Sequence, residues 1–121
     1  MKKILLVEDD PFLVDIYKTK FEKEGFEVDV AQEGKGAMRK IEEVKLDVLL
    51  LDLVLPNFDG FELLREIKST PRLKDLKVII LSNLGQKEEV EKGIALGAVK
   101  YLIKAHYTPS EVVEEVKKII K

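Results

Sequence analysis

The feature that most restricts this chain is a repeated alternation of two hydrophobic periods. Short apolar runs at Ile4–Val7, Val28–Ala31, Val48–Leu53, Val78–Leu81 and Val99–Ile103 read as strands. Longer stretches with helical spacing follow each of them, giving five strand–helix units in succession. Leu13, Ile16, Tyr17 and Phe21 mark the first helix, which Gly25 closes. Ala37, Ile41 and Val44 mark the second; Phe61, Leu64 and Ile67 mark the third, with Pro71 beyond its end. Val90 and Ile94 mark the fourth, ending at Gly97. Thr108-Pro109-Ser110-Glu111 is a capping box with proline at the first helical position. Behind it, Val112, Val113, Val116, Ile119 and Ile120 form one apolar stripe. Strands that alternate with helices predict an α/β fold, a parallel sheet covered on both faces. Without a linker or internal repeat, the 121 residues predict one domain, 1–121.

Composition removes several classes of function. The chain is 45% apolar and 36% charged with a net charge of −2, so no basic excess favours direct nucleic-acid binding. There is no cysteine, which excludes disulfides, thiolate catalysis and zinc–thiolate sites. The longest apolar run falls far short of the roughly 20 residues of a membrane span. After two lysines the first apolar run ends in acids, well below the roughly 7–15 residues of a secretory signal core. A cytoplasmic protein is expected.

In open α/β sheets the reacting groups stand beyond the carboxyl ends of the strands. Here the first strand is followed by Glu8-Asp9-Asp10, and the third carries Asp52 in the stretch DVLLLDLVLPNFDG. The fourth ends in Ser82-Asn83 and the fifth in Lys104. Asp10 precedes Pro11 and so suits the N-cap of the first helix, which leaves Glu8 and Asp9 as the metal pair. Clustered carboxylates are unfavourable without a cation, and oxygen donors with open positions suit Mg²⁺. A carboxylate nucleophile, a divalent cation, a lysine and a hydroxyl are together what phosphoryl transfer requires. Asp52 is expected as a partly exposed nucleophile whose charge Mg²⁺ and Lys104 offset. His106 reads as solvent-exposed, since one histidine alone makes no metal site.

ILLVEDD, LDLVLPNFDG, ILSN and GAVKYLIKA, in this order and at these separations, resemble the receiver domain of two-component response regulators across essentially the whole chain. The resemblance implies a flavodoxin-like, doubly wound (βα)5 fold with strand order 2-1-3-4-5, for which receivers are themselves a stock example. It implies Asp52 as phosphoacceptor, with Asp9, Asp52 and the Val54 carbonyl binding Mg²⁺, for which Mn²⁺ can substitute. Glu8 would act mainly through metal-bound water. Ser82 would take one phosphoryl oxygen, Lys104 would pair with another, and Tyr101 would be the switch aromatic. The implied partners are a sensor histidine kinase or phosphotransfer protein, and a downstream protein or an output domain outside this chain. The implied state is a monomer or a phosphorylation-dependent dimer.

Two positions depart from the family pattern. Ala105 follows Lys104 where proline is usual, which predicts a trans peptide and a rearranged loop, since a non-proline cis bond costs roughly 2.5–4 kcal/mol. Asn83 stands where a small residue is usual, which predicts an altered dephosphorylation rate. The runner-up reading is a pseudo-receiver, a protein-interaction module that keeps the fold without cycling phosphate. A haloacid-dehalogenase-like phosphatase needs a second aspartate two residues after its nucleophile, and Val54 and Pro11 occupy those places. A flavodoxin-type FMN binder needs a phosphate cradle where Glu8-Asp9-Asp10 would repel the ligand.

Overall fold

Each expected strand and helix forms in the computed structural model, which describes residues 1–120. The sheet strands are β1 (Lys3–Val7), β2 (Glu27–Ala31), β3 (Val48–Leu51), β4 (Lys77–Ser82) and β5 (Lys100–Ile103). The helices are α1 (Pro11–Lys23), α2 (Gly34–Glu43), α3 (Gly60–Ser69), α4 (Lys87–Ala95) and α5 (Pro109–Ile120). All sheet pairings are parallel, in the order β2-β1-β3-β4-β5. That is the doubly wound order the family resemblance implied, with its topological switch beside β1.

The two-residue period of the strands divides the core. Leu5, Val7, Leu49, Leu51, Val78 and Ile80 pack with Ala37 and Ile41 of α2 and Phe61, Leu64 and Ile67 of α3. Ile4, Leu6, Val48, Leu50, Ile79 and Leu81 pack with Tyr17 and Phe21 of α1 and Val112, Val113 and Val116 of α5. The α4 helix lies on the first of these faces, with Gly93 against Ile80. It contributes no fully buried side chain, Gly93 being its one buried residue.

Local chemistry sets the helix ends. Asp10 caps α1, its carboxylate accepting the Phe12 N–H at 2.9 Å. At the other end Gly25 adopts φ 88°, and Gly97 after α4 adopts φ 113°. After α1 the Phe26 and Gly25 N–H groups reach the Phe21 and Glu22 carbonyls, the paired bonds of a Schellman motif. The Phe26 ring meets Phe21 edge-on at 5.2 Å, the hydrophobic contact that accompanies this motif. The α5 capping box forms as read: Thr108 N–H donates to Glu111 at 2.8 Å, and Glu111 N–H to Thr108 Oγ1 at 3.2 Å.

Three readings need correction. The run Val48–Leu53 is not one strand: β3 stops at Leu51, and Val54–Leu55 pairs antiparallel with Phe58–Asp59 in a small hairpin. The hydrophobicity continues because Leu53 and Leu55 turn into the core beneath that hairpin. Ile16 and Ile94, counted in helical stripes, are exposed, because α1 and α4 bury narrower faces than their spacing implied. Val99 is also exposed and precedes β5 rather than opening it. No helix among the described residues is long and apolar enough to cross a membrane.

Candidate functional site

The parallel ladder carries two acids one step past the sheet. Glu8 N–H donates to Ala31 O at 3.1 Å and Asp52 N–H to Val7 O at 3.0 Å. Because Val7 pairs with Leu51, these neighbouring strands deliver Glu8 and Asp52 side by side. With the exposed Asp9 they offer three carboxylate oxygens within 4.8 Å of one another. From the far side Lys104 reaches in, its Nζ 2.7 Å from Asp52 Oδ2 and 2.5 Å from Glu8 Oε1.

The acids are more enclosed than strand-end positions suggest. Asp52 is 6% exposed, which corrects the expectation of a partly exposed nucleophile. Lys104 closes over Oδ2, while the Val54 N–H at the start of the hairpin donates to Oδ1 at 3.1 Å. Glu8 is 2% exposed; its Oε2 accepts the Asp10 N–H at 3.1 Å. Its Oε1 lies 2.5 Å from the Lys104 ammonium, which is its one close partner among the described residues.

Burial pushes the Glu8 carboxyl above the usual range, and the Lys104 ammonium and Asp10 N–H offset this only in part. Burial also works against the Lys104 charge, but its contacts with Asp52 and Glu8 outweigh that and hold its pKa above the ordinary lysine value. Asp9, Glu8, Asp52 and Lys104 together carry an excess of negative charge. Three carboxylates gathered against a single ammonium, offering oxygen donors only, fit a hard divalent cation.

Ser82 and Tyr101 meet through one residue. The buried Ser82 Oγ accepts the Leu84 N–H at 3.3 Å, and the Tyr101 hydroxyl donates to the Leu84 carbonyl at 2.5 Å. Tyr101 is half-buried; burial first, then the Glu89 and Asp52 carboxylates, pushes its phenol up to about 12. A raised native pKa adds stability below the ordinary tyrosine value of 10.0, which is lost as pH rises through about 12. Burial raises Tyr17 as well, so ultraviolet titration should show phenolate still forming near pH 12, and Tyr101→Phe should lower the amplitude of that step; an unchanged titration would contradict the assignment.

The remaining expected positions lie around this cluster. Val54 is exposed at the hairpin entrance, and Asn83 is exposed directly after Ser82. Ala105 is exposed in a 3-10 turn, Lys104–His106, and no peptide among the described residues is cis. His106 is exposed, as read. Sequence reasoning missed the part played by Leu84, whose contribution is all backbone. It also missed the start of α4, where Gln86 N–H donates to Glu89 at 3.0 Å. The spacing Gln-x-x-Glu was a signal for that cap.

Residues 4–117 match the response regulator receiver domain. The chain is 36% identical over 121 residues to the phosphate regulon transcriptional regulatory protein PhoB of Rhizobium meliloti, covering 100% of this chain and 53% of that protein. It therefore spans about half the length of that relative. It is 34% identical over 122 residues to the chemotaxis protein CheY of Thermotoga maritima, covering 99% of this chain and 98% of that one. A CheY-like receiver domain protein of Methanospirillum hungatei superposes with a TM-score of 0.91 at 29% identity, over 99% of this chain and 94% of that chain. The Mn²⁺-bound form of response regulator Rcp1 superposes with a TM-score of 0.85 at 28% identity, over 98% and 91%. The chain belongs to the response regulator receiver domain family. It is a receiver of two-component signal transduction.

Proposed function

We propose that Asp52 accepts a phosphoryl group from the phosphohistidine of a partner kinase or phosphotransfer protein in the cytoplasm. The observation that carries this is Lys104, held by Asp52 and Glu8 at the carboxyl edge of the sheet, 2.7 and 2.5 Å from their oxygens. An Asp52 carboxylate oxygen forms the new bond to phosphorus as the phosphorus–nitrogen bond to the donor imidazole breaks. Glu8, Asp9, Asp52 and the Val54 carbonyl would hold Mg²⁺, with Mn²⁺ as a substitute. When bound, such an ion supplies charge neutralisation for phosphoryl oxygens. Lys104 supplies the fixed positive charge on one side of the acceptor, and the Val54 N–H fixes the rotation of its carboxylate. Ser82 supplies a hydroxyl for a phosphoryl oxygen. Drawing Ser82 towards that oxygen loosens its bond from Leu84, the residue that also holds Tyr101, so charge at Asp52 reaches the α4–β5–α5 surface read by an output partner.

Incubation with acetyl phosphate and Mg²⁺, followed by intact mass, tests this reading. No Asp52-dependent gain of one phosphate would favour the pseudo-receiver instead. Asn83 is exposed directly after Ser82, and its amide is larger than the residue usual there, so Asn83→Ala should change the acyl-phosphate half-life. An unchanged half-life would remove Asn83 from the account.

A further inference from the structure

The loop between β3 and α3 is held from a direction that the acidic cluster does not require. Phe58, in the second strand of the hairpin, lies across the first turn of α2. A Cβ at Gly34, the first residue of that helix, would stand 2.0 Å from Phe58 Cδ1 and 2.2 Å from its Cγ. Gly34 is buried, and the Phe58 ring packs on the core cluster that contains Ala37, Leu53 and Leu55. The hairpin is thus closed at its base by Gly60 N–H to Leu53 O at 3.1 Å, and pinned to α2 by one ring seated on bare backbone. Its first residue, Val54, donates its N–H to Asp52 Oδ1.

We infer that Gly34 and Phe58 are a positioning pair: the ring seated on the glycine sets the hairpin, and through Val54 it sets the Asp52 carboxylate and the oxygen donors beside it. This rests on the reading of the acidic cluster as a cation site. The backbone of Gly34 is not in the left-handed region. Alanine normally favours a helix over glycine, so the ring is what opposes a side chain at this position.

The full chain, Gly34→Ala, Phe58→Ala and the double variant should be titrated calorimetrically with Mn²⁺ alone, and Val54 amide exchange followed by NMR. Each single variant is expected to bind Mn²⁺ about tenfold more weakly, the scale on which supporting residues act at metal sites. The Val54 amide should exchange faster in both. The double variant should bind no more weakly than Phe58→Ala, because the added methyl then meets no ring. Additive losses in the double variant would overturn the pairing. So would wild-type affinity and Val54 exchange in Phe58→Ala, a variant that adds no clash and reports even where Gly34→Ala fails to fold. If the wild type binds no Mn²⁺, the cation reading fails, and Val54 exchange still decides whether the pair positions the loop.

Discussion

With acetyl phosphate and Mg²⁺, Asp52→Asn is expected to keep its mass while the wild type gains one phosphate. An amide oxygen carries no formal charge to attack phosphorus, whereas the other acids of the cluster are differently placed. Glu8 is enclosed beneath Lys104, and Asp9 is exposed to solvent and makes no ion pair among the described residues. The same substitution also tests the electrostatics of the resting site. Glu8 and Asp52 share Lys104 as counter-ion, so two carboxylates stand against one ammonium. Replacing one carboxylate by an isosteric amide leaves a neutral Glu8–Lys104 pair, and the melting temperature should not fall. A phosphate gain equal to that of the wild type would move the acceptor elsewhere. A clear loss of stability would mean that the Asp52 charge is needed for folding.

Lys104→Met should have the largest effect on stability. Methionine keeps much of the apolar bulk of the lysine stem but leaves the carboxylates of Asp52 and Glu8 without their cation. Removing one partner from a buried ion pair costs on the order of 3 kcal/mol near neutral pH. The loss should shrink on acidification. Glu8 already titrates above the ordinary carboxyl range, so its native form takes up a proton at a pH where the unfolded chain has released it. For Glu8 alone, stability is therefore greatest below 4.5 and falls as pH rises through the raised native value. Urea denaturation at neutral and mildly acidic pH measures both effects. A cost that does not change with pH would contradict a carboxylate origin. Phosphorylation of the variant should slow by roughly 10²-fold, the scale expected for removing one charge-stabilising donor.

The parts of the molecule legible in the sequence are those that local chemistry settles. Asp10 before Pro11, Thr108 with Glu111, and Gly25 after an apolar stripe each specify a helix end within a few residues, and each forms as read. The placing of Glu8, Asp9, Asp52 and Lys104 at one edge of the sheet followed from strand-end positions once a parallel sheet was inferred, whereas the strand order came from the family resemblance. What was not legible depends on distant partners. The burial of Asp52 requires Lys104, 52 residues away, together with a hairpin hidden inside an apolar run. Leu84 joins Ser82 to Tyr101 through backbone atoms, which side-chain identity does not encode. Gly34 reads as an ordinary helix-start residue until Phe58 is found against it.

The shallow seating of α4 has a consequence for motion. The α3 helix puts Phe61, Leu63, Leu64 and Ile67 into the core, whereas α4 fully buries only the backbone of Gly93. Lifting or sliding α4 therefore withdraws little apolar side chain of its own, and what it uncovers on the sheet is centred on Ile80 and Tyr101, against which Gly93 sits. The helix beside Tyr101 is thus the one seated on the sheet by its backbone rather than by buried side chains, so its position depends on the shape of the Tyr101 and Ile80 surface beneath it.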